Sequence, residues 1–175
     1  MGGWFGSANK GQRIALERYR QTVISRLAAA MTEHQRHQLC RGVVELALAE
    51  CTRVVELSAQ HGDHAVAEAV GAAQAWLDHG AHPGKAIERR LDDFYNPFWL
   101  AFSVISSNLY EYALAAALCT EYAVRAASAG EWAQACQEAV RVVDLVAQAT
   151  GGEREDARQQ AEYWQIAAAW AILHN

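Results

Sequence analysis

Proline is almost missing from this chain: Pro83 and Pro97 are the only two, and both lie near its middle. The long stretches on either side keep the backbone N–H groups that an uninterrupted helix requires. Aromatic residues are scarce as well, at 9% against 52% hydrophobic residues overall, and alanine supplies much of the difference. Alanine has the best helix propensity, and its small side chain lets helices approach closely. Between the glycine-marked breaks nearly every segment repeats its apolar residues at helical spacing, which predicts an all-α fold.

Other absences narrow the function. No uncharged run reaches the roughly 20 residues of a membrane-crossing helix; the nearest, Asn96 to Tyr110, contains Ser103, Ser106, Ser107 and Asn108. No basic stripe appears, and Lys+Arg 15 against Asp+Glu 20 leaves a net charge of −5, so nucleic acid is not the expected partner. Cys40, Cys51, Cys119 and Cys136 form no C-x-x-C pair and have apolar neighbours, as expected of reduced, buried thiols. The amino terminus has no basic head followed by an apolar stretch, so a cytoplasmic protein is expected. Its Met1-Gly2-Gly3-Trp4-Phe5-Gly6-Ser7 start places the serine one position late for a myristoylation signal. There is no phosphate-cradling glycine loop, G-x-S-x-G elbow or H-E-x-x-H helix. No glutamate has histidine three positions later, as a di-iron bundle needs. A non-catalytic protein without a cofactor is the expectation.

At 175 residues the chain is long enough to bury a core unaided. Residues 1–11 are expected to be a flexible tail and residues 12–175 one helical domain, a single-domain bundle of about seven helices, mostly antiparallel. The first helix spans about residues 12–30, with Ile14, Leu16, Tyr19, Val23, Ile24 and Leu27 as its apolar face. Thr32 and Gln35 match a capping box that starts the second, which continues through Cys51, Val54 and Leu57 to Gly62. Asp63 caps a third, reaching about Asp78. A short amphipathic helix follows, near residues 85–94. Asn96 and Pro97 then reset the backbone before a long central helix near residues 98–128. Glu111 and Glu121 interrupt that helix, and Glu121 stands four residues before Arg125, the spacing of an intrahelical ion pair. Gly130, Gly151 and Gly152 bound the last two helices. The final one carries Tyr163, Trp164, Ile166, Ala167, Trp170 and Leu173 on a sticky face.

Two kinds of site are written into this pattern. His34 and His37, His61 and His64, and His79 and His82 each have H-x-x-H spacing, which puts two ligands on one helix face and makes His34, His37, His61 and His64 the candidate metal ligands. The competing reading is of solvated histidines or ones bonding the last carbonyls of a helix. Arg89, Arg90, Asp92, Asp93 and Tyr95 mix both charges with an aromatic ring beside Pro97, the chemistry of an interface anchor, and are the candidate partner-binding residues.

Met31-Thr32-Glu33, then Ala49 and Cys51 before Val54 and Val55, then Val66-Ala67-Glu68-Ala69-Val70 leading to Ala73, Trp76 and Gly80 follow one another in a recognisable order. Over about the first half of the chain this order resembles the immunity proteins of bacterial polymorphic-toxin systems. The resemblance implies a non-catalytic helical protein that binds and neutralises a toxin made by the same cell; it brings no functional residues with it. Gly130, Trp132 and Ala135 are similar to the centre of a tetratricopeptide repeat, but no second copy follows at that period, which excludes a solenoid. The expected function is therefore binding of another protein, with toxin inhibition its most specific form and a basic partner suited to the net negative charge. The alternatives are a metal- or small-ligand-binding bundle and a scaffold that self-associates through Trp4, Phe5 and Tyr95.

Overall fold

A computed structural model describes residues 10–62, 64–80 and 109–175. Among them are seven α-helices and no strand: α1 Lys10–Ala29, α2 Glu33–Thr52, α3 Val55–Gln60, α4 Ala65–His79, α5 Leu109–Ser128, α6 Trp132–Thr150 and α7 Arg154–His174. The all-α expectation holds. The helix expected near residues 85–94 and the part of the long helix before residue 109 lie outside the described residues, and so does Asp63.

Local chemistry sets the breaks. Thr32 Oγ1 accepts from the Gln35 N–H at 3.2 Å and Gln35 Oε1 accepts from the Thr32 N–H at 3.0 Å, so the capping box forms as the sequence predicts. Gly130 and Gly151 adopt φ of 74° and 73°, the left-handed region open to glycine. After each, the chain closes back on the helix it leaves: Glu131 N–H donates to the Ala126 carbonyl at 2.8 Å and Gly152 N–H to that of Ala147 at 2.7 Å.

The second expected helix is two helices. Arg53 N–H donates to the Glu50 carbonyl and Val54 N–H to that of Cys51, three residues back in each case, and Val54 leaves helical geometry at φ −112°, ψ 8°. Thr52, Val54 and Val55 form a β-branched cluster with reduced helix propensity, and the Thr52 hydroxyl is spent on the Leu48 carbonyl. The turn lets both Cys51 and Val54 bury.

The centre of the bundle is α2, α5 and α6. Ala113, Ala116, Ala117, Ala123 and Ala127 of α5 and Ala135 and Ala139 of α6 are buried where these helices meet, together with Val142 and Val146. A short connection over residues 129–131 makes α5 and α6 antiparallel. α6 and α7 are antiparallel too: Asp144 pairs with Arg154, and the Cys136 carbonyl accepts from Gln165. α1 instead runs parallel to α7, since Glu17 meets Arg158 and Arg20 meets Glu162. Its buried face is Arg20, Ile24 and Ala28, whereas Ile14, Leu16 and Tyr19, expected to face inward, are exposed. α1 leans chiefly on α7, so among the described residues its first turns have no second helix to cover them.

Candidate functional site

Two neighbouring features of α7 stand out. One face of the helix packs inward through Ala161, Glu162, Gln165 and Ala169. The outward face keeps Tyr163 56%, Trp164 40% and Trp170 56% exposed. The sticky face read from the sequence is thus split, because Ile166 and Leu173 pack against the core. The Arg20 guanidinium lies 5.6 Å from the centre of the Tyr163 ring, within cation–π range. Trp170 stacks on His174 at 4.2 Å, and Trp164 passes close to Gly42 of α2, where a Cβ would meet its ring at 3.4 Å. Tyrosine and tryptophan are among the residue types that dominate binding energy at protein interfaces.

Beside this face a cleft of about 440 Å³ opens between α1, α6 and α7. Arg20 and Glu162 form a buried ion pair on its floor. Burial lowers the Arg20 guanidinium, but the hydrogen bond and charge of Glu162, with Tyr163 behind, hold it above its ordinary value. Glu162 is pushed up by its burial, with Arg20 pulling the other way. At the rim Arg158 Nη2 donates to Glu17 Oε1 at 2.7 Å, and Arg154 makes a two-pronged contact with Asp144 at 2.9 and 3.0 Å. This cleft was not visible in the sequence. The one available signal was Arg20 falling at the spacing of Ile24 and Ala28 on the inward stripe of α1.

Two further carboxylates are buried, Glu121 on α5 and Glu138 on α6. Glu121 accepts from Arg125 Nη2 at 2.6 Å, the intrahelical pair that its spacing predicts. Glu138 accepts from Gln134 and from Arg141 Nη1, while its Oε2 accepts no hydrogen bond among the described residues. Burial first, and then the charge of Glu138, pushes the nearby Cys119 thiol up to about 12. Such a thiol stays protonated at neutral pH and is a poor nucleophile.

The sequence-predicted ligands do not converge. His34 meets Gln38 at 3.1 Å and His37 leans on Trp76, both on α2. His61 Nδ1 lies 2.9 Å from the Leu57 carbonyl at the end of α3, and the ring stacks on Tyr110 at 4.4 Å. A carbonyl only accepts, so Nδ1 carries the hydrogen and the residue caps its helix. His64 is exposed at the start of α4. Among the described residues no three His, Cys, Asp or Glu side chains are placed to hold a metal ion. The α2 helix, about 30 Å long, separates the first histidine pair from the second. Arg89, Arg90, Asp92, Asp93 and Tyr95 lie outside the described residues, as do Trp4 and Phe5.

Cys51, Ala73 and Trp76, which carry the likeness to immunity proteins, are core residues. They define packing and make no surface for a partner. No helix among the described residues is long and apolar enough to cross a membrane. No protein-family model, no curated protein and no solved structure matches this chain.

Proposed function

We propose that this chain is a non-catalytic protein-recognition module whose partner docks on the outward face of α7. The observation that supports this reading is the exposure of Tyr163, Trp164 and Trp170 on a helix whose opposite face belongs to the core. Large aromatic rings bring much contact area at small cost in side-chain entropy. Inhibition of a toxin made by the same cell is the specific version of this role, and the likeness in the first half of the chain supports it. The net charge of −5 favours a basic partner by speeding encounter.

Affinity capture with the full chain from its native lysate, run beside the Tyr163→Ser/Trp170→Ser variant, tests the reading. A near-stoichiometric protein retained by the wild-type chain and lost with the variant is expected. Equal retention by both chains, or no retained protein at all, would overturn it. Co-expression with the product of the adjacent gene tests the toxin version, which requires growth to be rescued.

A further inference from the structure

We propose that the cleft between α1, α6 and α7 binds a zwitterionic small molecule of amino-acid size, with its carboxylate on Arg20 and its ammonium between Glu162 and Gln165. At about 440 Å³ the cleft falls within the size range of small-molecule sites. Its charges balance: Arg20, Arg141 and Arg158 line it together with Glu17, Asp144 and Glu162. A simple anion would meet three carboxylates there and a simple cation three guanidinium groups, so a molecule bearing both charges is the better match.

The rim charges are already committed to one another, Arg158 to Glu17 and Asp144 to Arg154. Free hydrogen-bonding capacity remains on the floor. Gln165 is only 3% exposed, and its Nε2 donates to the Cys136 carbonyl at 2.9 Å, but its Oε1 accepts no hydrogen bond among the described residues. An ammonium group in the cleft would supply a donor to that oxygen. Glu162 gives one oxygen to Arg20 and keeps the other. Arg20 binds Glu162 through Nε and is also hydrogen-bonded to Tyr163, which still leaves part of its five N–H donors for a carboxylate. Trp132, Ile24 and Val140 form an apolar wall for the rest of the ligand, so an amino acid with an apolar or aromatic side chain fits best.

Isothermal titration of the full chain with each of the common free amino acids, and with N-acetyl and amide derivatives of any that bind, tests the proposal. At least one free amino acid should bind, and blocking either of its charges should weaken binding at least about tenfold, as expected when a buried partner is left unsatisfied. Gln165→Leu should weaken it by a similar factor. Ser25→Trp, which fills the cleft from the exposed side of α1 without touching the buried pair, should abolish it. No heat from any free amino acid at millimolar concentration, or undiminished binding by Ser25→Trp, would overturn the proposal. Loss of partner capture by α7 variants is a separate readout, so the two readings can fail independently.

Discussion

The α5–α6 pair and the α1–α7 pair are both made of helices about 30 Å long, yet they are held together by opposite means. Between α5 and α6 most of the buried residues are alanine and valine, with short side chains that let the backbones close in. Between α1 and α7 the contacts include two ion pairs, Arg20 with Glu162 and Arg158 with Glu17, and large aromatic rings remain outside. The first pair has the composition of a core, whose task is stability. In the second, a buried ion pair contributes little net stability, because desolvation offsets most of the attraction. The contrast is what supports the proposed docking surface on α7, with α2, α5 and α6 as the packed centre.

Substitutions can break this contrast. The largest effect is expected in the scaffold: Leu114→Ala, at a fully buried position of α5, should cost about 2–5 kcal/mol in urea denaturation through lost burial and the cavity left behind. An α1–α7 substitution behaves differently. Arg20→Met alone should cost about 3 kcal/mol by leaving Glu162 buried and unpaired, whereas Arg20→Met with Glu162→Leu should return to within about 1 kcal/mol of wild type. A double variant that stays as unstable as the single one would make this pair part of the scaffold after all.

Thiol titration sharpens the same comparison, because all four cysteines lie on α2, α5 and α6 and none on α1 or α7. Burial holds Cys40 and Cys51 up at about 11 and Cys119 and Cys136 up at about 12, against an ordinary value of 9.0. The unfolded chain therefore releases thiol protons above pH 9 while the folded chain retains them. Stability should fall as pH rises from about 9 to 11, with a slope approaching about 1.4 kcal/mol per pH unit for each thiol. Denaturation midpoints measured across that range should lose this slope when the cysteines are replaced by alanine. The smallest effect is expected on the proposed docking face: Trp170→Ser should change stability by less than about 0.5 kcal/mol, as for an exposed side chain, while weakening partner capture.

Much of the architecture was legible in the residues. Thr32 with Gln35 marks the start of α2, and Gly130 and Gly151 end α5 and α6 through φ values that other residues rarely adopt. The break at Arg53 and Val54 has no clear sequence signature, because β-branched residues only lower helix propensity and the burial of Val54 makes the turn worthwhile. Periodicity places Ile14, Leu16 and Tyr19 on an apolar stripe but does not say whether another helix reaches it, and all three are exposed. The histidine spacings describe one helix at a time, whereas a metal needs ligands brought together from several.

Local rules therefore determined the helices: propensity, capping and glycine conformation act within a few residues and are complete in the chain itself. Only the tertiary structure decided that α1 lies parallel to α7, that Arg20 meets Glu162 from the far end of the chain, and that Tyr163, Trp164 and Trp170 stay outside. Those outcomes depend on which apolar stripes find partners, a competition among all the helices for the same buried volume. The scaffold is written in local spacing. The candidate site exists only where distant segments meet.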